Sequence, residues 1–375
     1  MSSNIDYKRI FNKLNLNKKL FKYLEFDVLI VCAILVLYGA INIYSAIGVS
    51  YFKLQVMWLM VGLVAVFVII LVDYAIIANY ASVFYWGSVV LLFLNDFVLG
   101  TTTNGATGWI KLGSRAIQPA EFAKIGMIIM LAKLLEDMGG EINNFRNFMK
   151  LCIYAAIPMV LIVIQPDMGM TMVCFFVVLG IFFIAGLDLK VIIGGLSSIL
   201  VAIIVVWNSS LMPTYWKGRL ISFLNPEKYA SDYGLQLYQS LIGIGSGGIS
   251  GAGFGNGSQF RFVPESHTDF IFAVIGEEWG MIGGIFLLIL YGYLIIKFIK
   301  IAKNSKDIFG KIICIGITSS FLFSIIQNIG MTIGIMPITG ITLPLVSYGG
   351  SSMLTNFLGI GLILNVAMRK KKINF

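Results

Sequence analysis

The chain has one histidine, four cysteines and only 12% charged residues among its 375. Each scarcity excludes a class of chemistry. A lone imidazole, His267, leaves no histidine-based zinc centre, which takes several such ligands. Cys32, Cys152, Cys174 and Cys314 stand inside apolar stretches without disulfide or metal-ligand spacing, and read as small core hydrophobes. No serine nucleophile motif accompanies the histidine. The low charge content, set against 58% hydrophobic residues, excludes a soluble core, because long apolar runs recur from Asp27 to Met368. Runs of about 20 residues, at about 1.5 Å rise each, match the hydrocarbon thickness of a bilayer.

The sequence therefore predicts an all-α integral membrane protein with about ten transmembrane helices. The expected spans are residues 27–47, 54–73, 76–99, 119–137, 149–165, 168–186, 190–207, 268–300, 309–334 and 343–367. An even count places both termini on one side. Lys8, Arg9, Lys13, Lys18, Lys19 and Lys22 precede the first span, residues 369–372 follow the last, and five lysines lie in the 297–311 connection. The positive-inside rule assigns all three regions to the cytoplasm, so the net charge of +9 reads as topology rather than as nucleic-acid binding. The first apolar run is too long for a signal-peptide core and has no small-residue cleavage site after it, so it is expected to be retained. The resulting organisation is a basic cytoplasmic tail at 1–26, one transmembrane domain at 27–368 and a basic cytoplasmic tail at 369–375.

Most connections are short, and chemistry concentrates in two longer outer ones, about residues 100–118 and, between the seventh and eighth helices, about residues 208–267. The second should contain short interfacial or re-entrant helices, with Tyr215, Trp216, Phe223 and Tyr238 at headgroup level. Residues 243–248 formally match GxGxxG. No strand or βαβ pattern surrounds them, so the glycines read as sites of tight turns and close backbone approach.

Charged residues at the edges of apolar spans are costly and point to interior faces, watery cavities or chemistry. The stretch RFVPESHTDFIFAVIGEEWG, residues 261–280, carries Glu265, His267, Thr268 and Asp269 to the mouth of a span, with Glu277 and Glu278 inside it. Asp269 reads either as a helix-terminal group or as a general base, since a partly desolvated carboxylate gains proton affinity. His267 reads as a hydrogen-bonding interface group or a catalyst. The two glutamates read as partners of lysines or polar groups on other spans, or as a proton relay. Trp109, Lys111 and Arg115 precede Gln118-Pro119-Ala120-Glu121, where Pro119 suits a first helical turn and Glu121 shares a face with Lys124. These residues form either an ion pair pinning a helix or a cationic cavity for a phosphate or pyrophosphate. Asp167, in Gln165-Pro166-Asp167, reads as a helix cap or a contributor to cavity electrostatics. Lys217, Arg219 and Gln239 lie on the longer loop, and the stretch from Pro337 through Ser347 to Ser352 suits a broken backbone beside a cavity or close helix packing.

Together, GWIKLG with IQPAEFAKI, QPDMG, GRL with FLNPE, YQS with GIGSGG, VPESHTDFIFAVIGEEWG and MPITGITLPLVSYGGSS resemble, in order, the motifs of the SEDS (shape, elongation, division and sporulation) family. They cover residues from about 105 to 365. The short amino-terminal segment and the ending SSMLTNFLGIGLILNVAMRKKK are most similar to the elongation branch, RodA, rather than the division or sporulation branches. Ala120 stands where the family usually has serine, and Met170 where threonine is usual; neither touches a charged position.

The resemblance implies a ten-span peptidoglycan glycosyltransferase that polymerises lipid II on the outer face of the bacterial cytoplasmic membrane. It implies work alongside a class B penicillin-binding protein and other elongation-complex proteins. By position Asp269 matches the family's essential acid, making it the expected catalytic base. Lys111, Arg115, Glu121, Lys124, Arg219, Gln239, Glu265, His267, Thr268 and Ser347 are the expected substrate-binding residues. No cofactor is predicted firmly. A divalent cation, Mg or Mn, would suit pyrophosphate chemistry, but no compact carboxylate cluster marks a site for it. Intramembrane charges and broken helices also suit a lipid-linked sugar flippase, against which stands the concentration of charged motifs on the outer half. A scaffold that only recruits a partner enzyme would tolerate Asp269→Asn.

Overall fold

The computed structural model describes residues 22–103, 106–113, 115–208, 214–231 and 233–369. The basic segments 1–21 and 370–375 lie outside the described residues, as do the side chains of Arg115, Tyr215 and Trp216. Helices α1 (Phe26–Ile47) and α2 (Val49–Leu71) meet at Gly48, whose φ of 98° suits glycine. Asp73 caps the short α3 (Tyr74–Asn79) through the Ala75 amide, and α4 (Ala81–Leu94) runs on into a π turn, Asn95–Leu99. The expected span at 76–99 is thus divided at Tyr80.

The connection that follows is not irregular. Strands β1 (Gly100–Thr103), β2 (Ala106–Leu112) and β3 (Arg115–Ile117) form a small antiparallel sheet in that order, with Thr101 opposite Trp109 and Lys111 opposite Ala116. Pro119 opens α5 (Pro119–Asp137) at a position whose amide needs no intrahelical partner. Asn144 caps α6 (Phe145–Ile164), and Asp167 caps α7 (Met168–Ala185) by accepting the Met170 amide at 2.8 Å. Then come α8 (Leu189–Asn208), α9 (Thr214–Leu224), α10 (Leu235–Gly247) and a 3-10 turn, Gln259–Phe262. The chain closes with α11 (Ile271–Lys303), α12 (Ile308–Thr332) and α13 (Gly350–Met368).

Among the described residues, eight helical segments are long and apolar enough to cross a membrane: α1, α2, Ala81–Leu99, α6, α7, α11, α12 and α13. The other two expected spans fold as α5, which carries five charges in 19 residues, and as α8. Helices α12 and α13 have 78% and 83% of their apolar stretches buried, against 22–50% for the other six, so they form the centre of the bundle. Helix α13 packs on α2, α12 on α7 and α11, and α4 on α5.

Two breaks position the site. Helix α11 departs from helical geometry at Gly280 (φ 62°), where Met281 and Ile282 donate to the carbonyls of Gly248 and Ile249. Ala252 and Gly253 donate in turn to the carbonyls of Glu277 and Glu278, and a Cβ on Gly280 would lie 2.5 Å from the Gly251 amide nitrogen. Gly247 and Gly251 serve this close approach, since a Cβ would lie 2.0 Å from the Gly276 carbonyl oxygen and 2.1 Å from that of Glu278, whereas Gly243 and Gly245 do not crowd a backbone. The second break is the non-helical segment between α12 and α13. The last helix was expected from residue 343; Pro344, without an amide donor, and Leu345, at φ 67°, delay it to Gly350.

Candidate active site

The starts of α5, α7, α11 and α13 and the end of α12 converge at one end of the bundle. There they enclose a cavity of about 380 Å³, roofed by β2, α9 and α10. Of the residues singled out in the sequence, Trp109, Glu121, Lys124, Asp167, Arg219, Glu265, Thr268 and Asp269 line it. Of the other expected substrate-binding residues, the four whose side chains are described lie elsewhere. Lys111 is exposed on β2, two residues beyond Trp109. Gln239 is on α10, whose Gln236 faces the cavity instead. His267 packs its ring against Tyr51 and Tyr348. Ser347 is buried behind the wall, accepting from the Leu343 amide and donating to the Thr268 carbonyl at 2.6 Å.

Asp269 sits in a loop two residues before α11 and does not cap it; Phe270 occupies the cap position without a side-chain bond. Its backbone is held tightly. Asn328, fully buried on α12, donates through Nδ2 to the carbonyls of Asp269 and Ile341, each at 2.7 Å. Tyr348 donates its amide to the His267 carbonyl, and Gly340 passes so close that a Cβ there would be 3.3 Å from Asp269 Oδ2. The carboxyl itself points into the cavity, surrounded by protein. That desolvation, helped by the negative charge of Glu265 and opposed by Arg219, pushes it up to about 7. Burial also raises Asp167, whose carboxylate accepts the Met170 amide and the Gln118 Nε2 at 3.0 Å. His267 is lowered by burial, with Glu265 acting against the shift.

Glu121 and Lys124 form a buried ion pair of 2.8 Å, and Thr355 of α13 adds a hydroxyl to Glu121 Oε2 at 2.8 Å. Arg219 reaches over from α9, with Nη1 3.4 Å from the Ile338 carbonyl, and its charge acts on both Asp269 and Asp167. Glu277 and Glu278 do not line the cavity. Glu277 takes the amides of Ser258, Gln259 and Phe260 at 2.6, 2.8 and 2.6 Å, while Glu278 takes the Ser45 hydroxyl and the Gly255 amide. Both fasten the 252–260 segment onto the broken part of α11. Gln118, Thr339, Thr342 and Ser352, from stretches the sequence singles out, add polar lining, and Gln236, Ser324 and Asn356 add more with no signal in the sequence. Among the described residues no group of three or more His, Cys, Asp or Glu is arranged to hold a metal ion.

The comparisons match this architecture over nearly its whole length. The family model FtsW/RodA/SpoVE, described as cell cycle protein, matches residues 21–372. The chain belongs to this family. Stage V sporulation protein E of Bacillus subtilis is 35% identical, over 91% of this chain and 96% of its own. Peptidoglycan glycosyltransferase MrdB of Escherichia coli K12 is 33% identical, over 96% and 98%. Among solved structures, a chain from work described as "Structural coordination of polymerization and crosslinking by a peptidoglycan synthase complex" superposes with a TM-score of 0.82 at 29% identity, covering 93% of this chain and 99% of that one. The crystal structure of the rod shape determining protein RodA of Thermus thermophilus gives 0.71 at 29%, covering 93% and 98%. This SEDS-family chain thus shares its fold with those solved structures over 93% of its length.

Proposed function

We propose that this SEDS protein is a peptidoglycan glycosyltransferase that polymerises lipid II, with Asp269 as general base. The observation that carries the reading is Asp269 itself, a carboxyl pushed up to about 7 in a cavity that also presents Arg219 and Lys124. A base poised near neutrality combines a useful ionised fraction with a strong pull on a hydroxyl proton. Asp269 removes the proton from the 4-hydroxyl of the acceptor's N-acetylglucosamine as that oxygen attacks C1 of the donor's N-acetylmuramic acid. The bond from C1 to the pyrophosphate oxygen breaks, and undecaprenyl pyrophosphate leaves with the electron pair. Inversion turns the α-linked donor into a β-1,4 glycan. Negative charge grows on the leaving group, where Arg219 and Lys124 stabilise it from fixed positions in a low-dielectric site. One protein carboxylate suffices because pyrophosphate departs without a general acid, whereas glycosidases use two.

The cavity end faces outward in this reading and both basic tails lie in the cytoplasm, supported by the lysines of the 297–311 connection. A class B penicillin-binding protein is the partner, supported by the likeness to a chain of a polymerising and crosslinking complex. The elongation role is supported by the terminal sequence features. Named relatives span RodA, FtsW and SpoVE at comparable identity.

The test is glycan polymerisation from purified lipid II by the detergent-solubilised protein with its partner. Wild type should make polymer and a folded, partner-bound Asp269→Asn should make none. Equal polymer from both would remove Asp269 from the chemistry, and none from wild type would turn attention to lipid flipping. Rescue of an elongation-defective strain, without rescue of a division-defective one, tests the branch.

A further inference from the structure

Asp96 lies in the π turn that ends the Ala81–Leu99 segment, 69 residues from its partner Gln165. Gln165 is wholly buried, terminates α6, and immediately precedes the Pro166-Asp167 turn that lines the cavity. Its Nε2 donates to Asp96 Oδ1 at 2.6 Å, and Asn95 Nδ2 donates to the same oxygen at 3.3 Å. Among the described residues, two buried atoms of the joined groups, Asp96 Oδ2 and Gln165 Oε1, have no hydrogen-bond partner. Both are oxygens. Two acceptors cannot satisfy each other, and sealed polar atoms without partners are costly.

The pattern on Asp96 is that of an acid rather than a carboxylate. A carboxylate spreads donors over two equivalent oxygens, whereas here one oxygen takes both and the other takes none. Asp96 is half-buried with its Oδ2 sealed; among the described residues no cation pairs with it, and a sealed, unpaired carboxylate oxygen would be expensive. We infer that Asp96 is a neutral carboxylic acid whose Oδ2–H donates to Gln165 Oε1, closing a two-bond acid–amide pair that positions the Asp167 turn at the cavity. A single proton satisfies both orphaned oxygens. Asp96 is then a positioning residue acting through Gln165. That turn carries Asp167, which takes Gln118 from the start of α5, so the pair fixes one wall of the cavity relative to another.

The role in polymerisation rests on the proposed function, but the protonation does not, and the test separates them. An Asn side chain reproduces the neutral acid, with an oxygen that accepts and an amine that donates. Asp96→Asn should keep polymerisation from lipid II close to wild type. Asp96→Leu and Gln165→Leu should each lower it by about tenfold to a hundredfold, as a misplaced wall does. In parallel, infrared difference spectra of wild type minus Asp96→Asn in detergent, recorded about two pH units above the range where Asp269 titrates, should show one protonated-carboxyl C=O band. That readout requires no activity. Absence of the band, or an Asp96→Asn protein as inactive as Asp96→Leu, would overturn the proposal and mark Asp96 as a charge. A present band with unchanged activity in Asp96→Leu would overturn the positioning role alone.

Discussion

Asn328 holds Asp269 in place through a single amide: its Nδ2 lies 2.7 Å from the Asp269 carbonyl and 2.7 Å from that of Ile341. One side chain from the central helix thus joins the loop before α11 to the segment between α12 and α13. Asn328→Leu removes both donors and leaves two carbonyls facing an apolar group. At about 1–3 kcal/mol for an unsatisfied buried group, the melting temperature should fall measurably. Displacement of Asp269 should reduce turnover more than it changes KM for lipid II, read in a polymerisation assay over a range of lipid II concentrations.

Gly340 gives a second handle on the same carboxyl. Its φ of 76° costs any L residue about 1–2 kcal/mol, and an added methyl would sit 3.3 Å from Asp269 Oδ2. Gly340→Ala should therefore remain folded with slightly lower stability, yet polymerise several-fold more slowly. If thermal melts drop while polymerisation per folded molecule is unchanged, the close approach has no bearing on the reaction.

The raised Asp269 carboxyl ties activity and stability to pH in opposite directions. Only the ionised form is a base, so kcat/KM should climb with pH through about 7 and level off above it. In the unfolded chain the group ionises near its ordinary 3.8, so between that value and about 7 the folded state holds the proton more tightly. Folded stability contributed by this proton is complete below 3.8 and is lost as pH rises through about 7. Asp269→Asn should accordingly melt higher than wild type above neutrality, with the gap closing in acid. Differential scanning calorimetry at two pH values checks the sign.

What the sequence made legible was local. Pro119 at a helix start, Asp167 before α7, and Asp269 at the mouth of α11 each follow from rules that need only near neighbours. Asn328 could not be found that way. It sits inside an apolar helix, and its meaning depends on two loops that reach it from 59 and 13 residues away. Gly280 was equally opaque, because glycine is common in membrane helices and only the docking of residues 248–253 makes it a break. Lys111 shows the reverse: alternation along a strand puts it on the face of Trp109, but only Trp109 reaches the cavity. The sheet itself had a readable signal in the β-branched Thr101-Thr102-Thr103 followed by Asn104-Gly105, a hairpin dipeptide.

Glu277 accepts three consecutive amides, from Ser258, Gln259 and Phe260, and so anchors the 3-10 turn against α11. Glu277→Gln keeps the shape, replaces one acceptor oxygen by a donor, and removes the charge that strengthens the other bonds. Charge-assisted hydrogen bonds contribute about 1.5–3 kcal/mol each, so the 252–262 segment should open more often. Limited proteolysis should then cut there faster than in wild type, at Arg261 with trypsin, while the rest of the bundle stays resistant.

The buried Glu121–Lys124 pair allows structure and electrostatics to be separated. Lys124→Met leaves a buried carboxylate supported, among the described residues, by the Thr355 hydroxyl alone, and Glu121→Gln leaves a buried ammonium, so each alone should cost about 3–5 kcal/mol. The double variant Glu121→Gln, Lys124→Met removes both charges together and keeps the volume, so most of the lost stability should return. If the pair serves only to pin α5 beside α13, polymerisation returns with it. Because Lys124 lines the cavity where, on the proposed mechanism, the departing pyrophosphate gains charge, we expect a double variant that melts near wild type and makes little polymer. Thermal melts and glycan gels on the same four proteins decide between the two.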